Sequence, residues 1–274
     1  MGLGAGQTPV KSKSYSPFDI WMEAHYQSFT DDRDSTRSDG HFGVVYVGAD
    51  YVVNRSLLVG ALVQFDSTQQ RSNAEAFDVK GKGWMAGPYA TVRLTDNLFF
   101  QTRAAIGQST NEVSPFLTYT DTFETRRWLA TGALVGRWKF GDLQIRPSAS
   151  IAYIEDVSAA YIDSLGVTIP GLKVALGQFK AGPEFSYKFD IGNGASLQPR
   201  IGFQAIWNFA GSDRVADFGG TLSGPEDLRG RVELGLTAKS SSGLNLDISG
   251  SYDGIGSDTF HAIGGKATIR IPLQ

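Results

Sequence analysis

The feature that most constrains this fold is the alternation of apolar and polar side chains in residues 41–66. The second half of this stretch has one apolar face, made of Leu57, Val59, Ala61, Val63 and Phe65. The other face mixes Gly60, Gln64 and Asp66 with Leu58 and Leu62. A period of two is typical of a strand, whereas a helix has a period of 3.6. A short turn at Asn54-Arg55-Ser56 joins the two halves, so the stretch predicts a β-hairpin.

Extended segments of this kind follow one another from Phe18 to the end of the chain. The sequence predicts twelve strands, at about 18–28, 41–53, 57–69, 79–94, 97–109, 122–139, 142–155, 173–189, 195–209, 228–239, 243–253 and 260–272. The sixth and eighth alternate less cleanly, and we expect bulges there. The 33 glycines and 12% aromatic residues also favour an all-β chain.

The connections alternate in length along the whole chain. Tight turns follow the even strands, as at 53–56 and 95–97, and longer polar loops follow the odd strands. The predicted loops are 29–40, 70–78, 110–121, 156–172, 210–227 and 254–259. Neighbouring antiparallel strands place alternate connections at opposite ends of the sheet, so one end carries short turns and the other carries long loops. This asymmetry is typical of outer-membrane barrels.

Charged residues recur on the face opposite the apolar one. They are Asp19, Glu23, Asp50, Asp66, Arg93, Arg103, Arg127, Arg137, Arg146, Lys180, Glu184, Arg200, Glu233, Asp247 and Arg270. In a soluble β-sandwich this face would meet outside water, whereas in a membrane barrel it would line a wet lumen. Strands longer than the usual five or six residues favour the barrel. Aromatic residues near strand ends fit the interfacial girdles of such barrels.

The bulk composition excludes several classes. The charge balance, 25 Lys and Arg against 28 Asp and Glu, suggests no nucleic-acid partner. The absence of cysteine excludes disulfides and a thiolate zinc site. The chain has no run near the ~18 apolar residues of a spanning helix. Residues 1–17 predict a flexible linker without a signal-peptide core, so an export signal would lie upstream.

Several stretches resemble a known family. They are Phe18-Asp-Ile-Trp-Met-Glu-Ala24, Asp39-Gly-His-Phe-Gly-Val-Val-Tyr-Val-Gly-Ala-Asp50-Tyr, Leu58-Val-Gly-Ala-Leu62 and Gly83-Trp-Met-Ala-Gly-Pro-Tyr89. Each is weak alone, but their order and spacing resemble the C-terminal translocator domain of the autotransporters, the type V secretion proteins of Gram-negative bacteria. The resemblance covers residues 18–274.

The resemblance implies a twelve-stranded transmembrane β-barrel in the outer membrane and export of an N-terminal passenger to the cell surface. It also implies periplasmic chain ends, a linker in or near the lumen, and assembly by the barrel-assembly machinery. We expect a monomer whose partners are outer-membrane lipids and its own passenger and linker. Two features depart from the family. The chain ends in Ile269-Arg-Ile-Pro-Leu-Gln274 without a final aromatic, and residues 1–53 lack the asparagine at which some members cut their passenger.

The candidate functional residues are those expected to line the lumen. They are Glu23, Asp50, Asp66, Arg93, Arg103, Arg127, Arg137, Arg146, Glu184 and Arg200. Mixed charge that only hydrates a pore explains most of them. A sharper hypothesis is that the six arginines form a basic strip opposite an acidic strip at Glu23, Asp50 and Asp66. Such an arrangement would hold a linker in one register, with Lys11 and Lys13 pairing with lumenal acids.

The sequence predicts no catalytic, cofactor-binding or metal site. The three histidines, His25, His41 and His261, have no serine or acid at a persuasive spacing, and no Gly-x-Ser-x-Gly elbow is present. His25 is expected to point into the lumen. A porin-like channel, an outer-membrane barrel hydrolase and a soluble β-sandwich binding module are the alternatives to a translocator.

Overall fold

The computed structural model describes residues 17–32, 37–72, 76–115, 117–211 and 228–272. Its first six long strands are β1 (Phe18–Asp31), β2 (Ser38–Val52), β3 (Leu57–Ser72), β4 (Phe77–Arg93), β5 (Leu98–Pro115) and β6 (Asp121–Gly136). The next six are β7 (Leu143–Ser158), β8 (Lys173–Tyr187), β9 (Ala195–Gly211), β10 (Leu228–Lys239), β11 (Asn245–Ile255) and β12 (Phe260–Pro272). Short segments at Trp138–Phe140 and Phe189–Gly192 continue β6 and β8. No described helix is long and apolar enough to cross a membrane.

The twelve long strands close into one antiparallel barrel. Each strand pairs with the next in sequence, and β1 pairs with β12 from Asp19 opposite Pro272 to Asp31 opposite Phe260. Closure removes the free sheet edges that would otherwise expose unpaired backbone groups. The prediction of an all-β, twelve-stranded antiparallel barrel is confirmed.

The two faces of the β2–β3 hairpin show why the alternation produces a barrel. Val59, Val63 and Phe65 point outward and are 36%, 37% and 59% exposed, whereas Leu58 and Gln64 point inward and are buried. The turn between the strands is fixed by Asn54, whose Oδ1 accepts a hydrogen bond from the Ser56 amide at 2.8 Å. Such an Asx turn is a common way for asparagine to reverse a chain.

Most of the strands extend further toward the long-loop end than predicted. Strand β5, for example, continues to Pro115 instead of ending near residue 109. The reason is local composition, because these strand ends are rich in Ser, Thr, Gln and Asp and lack the apolar alternation that marks the middle of each strand. The connections at this end are therefore shorter, and that between β1 and β2 spans residues 32–37 instead of 29–40. The expected irregularity in the eighth strand is present as a register shift between Gly177 and Gln178.

One long connection, between β7 and β8, folds back onto the neighbouring strand. It contains a small hairpin that pairs Tyr161–Ile162 with Thr168–Ile169. The Tyr161 ring stacks on Phe123 with centroids 5.4 Å apart, and burial raises the pKa of Tyr161. The backbone amide of Ser164 donates to Asp121 Oδ1 at 2.8 Å. This connection is therefore attached to the start of β6.

Exposed aromatic side chains gather at two levels of the outer surface. At the short-turn end, Phe18 and Tyr51 lie with ring centroids 4.7 Å apart. Nearer the long-loop end, Phe65 is paired across the strands with Trp84, and Trp128 contacts Tyr153. Between the levels the outward positions are mainly aliphatic, including Met22, Val47 and Val63. This arrangement matches the apolar band and aromatic girdles of membrane barrels.

Candidate functional site

The interior of the barrel holds the residues selected from the sequence. Inward positions of their strands carry Glu23 (β1), Asp50 (β2), Asp66 (β3), Arg103 (β5), Arg127 (β6), Arg146 (β7), Glu184 (β8) and Arg200 (β9). Arg137 follows β6 with the same parity as Arg127. Arg93 ends β4 at the short-turn rim, where it donates to Asp96 at 2.7 Å. Inward and outward parity, readable from the sequence, is what brings this set together.

A first cluster joins β1 and β12, the two strands that close the barrel, to β2 and β4. The carboxylate of Asp50 is fully buried and accepts hydrogen bonds from Trp21 Nε1 at 3.2 Å and from the Tyr89 hydroxyl. Its second oxygen accepts from Arg270 Nη1 at 2.6 Å. A buried carboxylate needs such donors to stay ionised. The cluster therefore connects β12 to β2 across β1.

Large side chains fill the interior next to β2, β3 and β4. Arg127 Nη1 donates to Asp66 Oδ1 at 2.7 Å, and the Arg127 Nε donates to Asp156 Oδ1 at 3.2 Å. Arg103 donates to Gln64 and stands over the ring of Tyr46, 5.2 Å from its centroid. Apolar side chains complete the filling, including the buried clusters Trp21, Val44, Tyr46 and Leu62, and Met85, Ala105, Leu129 and Leu176. This side of the lumen is packed like a protein core.

A second charged cluster centres on Arg200 of β9. Its guanidinium contacts three carboxylates, with Glu184 Oε2 at 3.4 Å, Glu233 Oε1 at 3.1 Å and Asp247 Oδ1 at 2.8 Å. Arg146 also donates to Glu184 at 3.1 Å. The ion pairs cross from β7 to β11, so the polar wall is held together by interactions between strands rather than along them.

The hypothesis of separate basic and acidic strips is wrong. Asp66 is bound by Arg127, Asp50 by Arg270, and Arg200 by three acids of β8, β10 and β11. Like charges collected on one side would repel and would each remain desolvated without a partner. The folded interior instead mixes cations and carboxylates, whose partners lie on neighbouring strands or across one or two intervening strands.

The charged set identified from the sequence did not include Asp156, Arg229, Arg231 or Lys266, which the structure places in the interior. Asp156 lay in a predicted loop, whereas it is an inward residue of β7. Asp253 accepts from Arg229 Nε at 2.9 Å and from Arg231 Nη2 at 2.5 Å, near the long-loop end. Lys266 Nζ lies 3.6 Å from Glu233 Oε1. The alternation could have identified these positions, because Arg229 and Arg231 are an even number of residues from Glu233 and so share its face of the strand. Lys266 shares the face of Arg270 for the same reason.

An open cavity of about 450 Å³ occupies the other side of the lumen. It is lined by residues of β1 and of β5 to β12, and no described residue of β2, β3 or β4 lines it. The lumen is thus asymmetric, with a filled wall beside β2 to β4 and an open polar wall formed mainly by the parts of β5 to β12 nearer the short turns. A cavity of this size holds a small ligand or a short length of chain.

His25 lines this cavity, as parity predicted. Its Nε2 lies 2.7 Å from Glu23 Oε1, and Thr268 donates to the other oxygen of Glu23 at 3.0 Å. Its ring meets Tyr46 edge-on, with centroids 5.9 Å apart. Among the described residues, no three His, Cys, Asp or Glu side chains form a group suited to a metal ion. The geometry gives His25 a structural hydrogen bond with Glu23.

A comparison with protein families matches residues 20–253 to the model described as Autotransporter beta-domain. No curated protein matches the chain in sequence.

Solved structures share the fold at low identity. The β domain of the Bordetella autotransporter BrkA has a TM-score of 0.73 at 18% identity, covering 93% of this chain and 99% of that one. The transport unit of AIDA-I from Escherichia coli has 0.71 at 16% identity, covering 92% and 89%. The translocator domain of NalP from Neisseria meningitidis has 0.68 at 14% identity, covering 94% and 89%.

Proposed function

The chain belongs to the autotransporter β-domain family, and from this membership we propose that residues 1–17 cross its lumen and present a linked passenger at the cell surface. As a member of the family it is an outer-membrane translocator domain for passenger export. Our proposal adds three points: the path of the linker, the surface location of the passenger and the contacts within the lumen.

One observation carries the proposed path. Strand β1 begins at Phe18 beside the short turns, because Phe18 is paired with Tyr51 at the end of β2 that leads into the turn at 53–56. A chain that enters there and continues to the opposite mouth must pass through the lumen, since the outer surface is apolar. Seventeen extended residues reach roughly 55 Å at ~3.3 Å each. That length exceeds the apolar band of about 25 Å.

Within the lumen, we place the linker against the open polar wall. The filled wall beside β2, β3 and β4 leaves no space, whereas the cavity is bounded by Ser148, Ser150, Ser249 and Ser251 among other polar residues. Four of the lumen residues predicted from the sequence, Arg137, Arg146, Glu184 and Arg200, lie on this open side. They provide a hydrated surface along which a polypeptide can lie.

Disulfide trapping tests this path, and the absence of native cysteine gives a clean background. We expect Ser12→Cys to cross-link with Ser148→Cys on the open wall when copper phenanthroline is added to inserted protein. The matched control pairs Ser12→Cys with Ser67→Cys, which faces outward on β3. If Ser12→Cys cross-links to neither Ser148→Cys nor Ser67→Cys and the lumen conducts in planar bilayers, the protein is a porin-like channel instead.

We propose that no reaction is catalysed in the lumen, in keeping with a family of translocator barrels. Among the described residues, His25 contacts Glu23 and the Tyr46 ring, and no serine or threonine hydroxyl is hydrogen-bonded to it. Lipid or peptide hydrolysis by the wild type that His25→Ala abolishes would contradict this.

The remaining proposed partners are outer-membrane lipids and the barrel-assembly machinery. The outward face of β12 carries Ile263, Ile269 and Ile271, which are 70%, 38% and 51% exposed. This apolar strand is the element that we propose is presented to the assembly machinery. Replacing Ile269 and Ile271 with serine should lower the inserted fraction in cells, and unchanged insertion would contradict this role.

A further inference from the structure

The open cavity presents an excess of positive charge. Its described lining includes seven Lys and Arg side chains and only three carboxylates. The cations are Arg137, Arg146, Lys180, Arg200, Arg231, Lys266 and Arg270. The carboxylates are Glu184, Glu233 and Asp247. The interior as a whole is more nearly balanced, so the excess reflects which charges face the open space.

All three lining carboxylates are already neutralised by neighbouring cations. Each contacts the guanidinium of Arg200. Glu184 is additionally bound by Arg146 at 3.1 Å, and Glu233 by Lys266 at 3.6 Å. These acids therefore have little capacity left to attract a cation into the cavity.

Other lining cations have their carboxylate partners outside the cavity. Arg270 pairs with Asp50 and Arg231 with Asp253, and the side chains of both acids are at most 1% exposed. In addition, Arg146 Nε and Arg270 Nη2 are buried and have no hydrogen-bond partner among the described residues. The carboxylates that balance Arg270 and Arg231 are therefore buried away from the cavity that these cations line. In a cleft with low-dielectric walls, the nearer charges dominate the potential.

We propose that the open wall of the lumen is an anion-binding surface whose ligand is a short acidic peptide segment. Residues 1–17 contain Lys11 and Lys13 and no Asp or Glu, so the linker does not supply the matching charge. The acidic segment comes from polypeptide that passes through the lumen. This inference deepens the proposed function and rests on it for the polypeptide path. Paired guanidinium groups bind carboxylates with strong, charge-assisted hydrogen bonds.

Peptide binding to the full chain folded in detergent tests the proposal, and the peptide must bind on the open wall beside the linker, whose Lys11 and Lys13 add to the positive charge there. We expect triglutamate to bind in isothermal titration calorimetry and trilysine not to bind. The affinity should fall between about 0.05 M and 0.2 M salt, since screening weakens exposed electrostatic attraction. Equal binding of the two peptides, or binding of neither, would overturn the proposal. Pyrophosphate binding as tight as triglutamate binding would show a general anion site and remove the peptide assignment.

Charge variants locate the surface. The double variant Arg137→Gln with Arg146→Gln should weaken triglutamate binding roughly tenfold, as expected for the loss of charged donors. Glu184→Gln should strengthen it by freeing Arg146 and Arg200. Arg126→Gln makes the same chemical change on the exposed outer side of β6 and should have no effect. A heat-modifiable gel shift checks that each variant is folded, and equal loss in Arg126→Gln would refute the lumenal location.

The binding test and the cross-linking test fail independently. If the linker does not cross-link to Ser148→Cys but triglutamate binds, the anion surface stands and the polypeptide path is wrong. If cross-linking succeeds and triglutamate does not bind, the path stands and the acidic ligand is wrong.

Discussion

At the scale of single residues, close packing inside the lumen depends on glycines beneath aromatic rings. Tyr89 of β4 lies over Gly60 of β3, which lets its hydroxyl reach Asp50. A Cβ at Gly60 would stand 2.6 Å from the Ala49 carbonyl oxygen and nearer still to the Tyr89 ring. Because the carbonyl belongs to backbone, the overlap cannot be relieved by a rotamer change alone.

Gly60→Ala should therefore lower the free energy of unfolding by about 1–3 kcal/mol, the usual range for overpacking. The measurement is urea unfolding of the detergent-folded protein followed by gel mobility. Gly202→Ala is the matched control, because a Cβ there faces the lumen with its nearest neighbour at 3.9 Å. A similar loss of stability in both variants would show that the ring over Gly60 is not the cause.

The outward residues yield a second prediction. Val63 is level with Met22, through the pairing of both with Val47, and Met22 lies midway between two exposed aromatic residues, Phe18 and Tyr26. We expect Val63 to face the centre of the apolar band. Val63→Arg should then destabilise the inserted barrel by about 2–4 kcal/mol, measured by unfolding from lipid vesicles.

Ser67→Arg is the control for this change. It lies on the same face of β3, two residues beyond the girdle residue Phe65, and should cost only about 0–1 kcal/mol. If the two arginines lower the stability of the inserted barrel equally, Val63 does not face the centre of the apolar band.

At the scale of elements, the number, order and inner face of the strands could be predicted, but their ends and partners could not. Two-residue alternation placed Glu23 and Arg200 on the inner wall because parity is a local property. Whether Arg200 meets Asp66 or Asp247 depends on strand neighbours and register, which alternation does not specify. The strand ends were underestimated because polar hairpin ends carry no apolar signal.

The closure between β12 and β1 yields a third prediction. Arg270 of β12 reaches past β1 to Asp50 of β2, and the Asp50 side chain is fully buried. Arg270→Ala leaves this carboxylate without its cation, and loss of one partner from a buried pair costs about 3–5 kcal/mol. We expect a lower urea midpoint and an earlier change in tryptophan fluorescence, since Trp21 donates to the same carboxylate.

A double variant separates the ion pair from simple loss of packing. Asp50→Asn removes the orphaned charge while keeping an oxygen that can accept from Trp21. The variant with both Arg270→Ala and Asp50→Asn should be more stable than Arg270→Ala alone. An additive loss from the two changes would mean that the pair does not stabilise the closure.

At the scale of the whole molecule, the sequence predicted a wet lumen, and the structure shows a lumen divided into two parts. Leu58 and Leu62 point inward with Gln64, and the burial of Leu62 against Trp21 and Tyr46 depends on contacts between strands that are distant in sequence. A strand pattern reports which face a residue takes but not what stands opposite it. The open cavity beside β5 to β12 could be found only once all twelve strands were closed.

This division predicts opposite effects for bulky residues on the two walls. Gly202→Trp places a large ring in the open cavity, where a Cβ has no neighbour closer than 3.9 Å, so folding should be retained. The ring should narrow the cavity and slow maleimide labelling of Ser249→Cys, another lining residue, by at least severalfold. Gly60→Trp introduces the same side chain against the filled wall, where Tyr89 already occupies the space, and should prevent folding. A folded Gly60→Trp barrel, or unchanged labelling of Ser249→Cys beside Gly202→Trp, would contradict the two-part lumen. Because both variants add one tryptophan at an inward glycine, the difference between them measures the free space on each wall rather than the chemistry of the side chain.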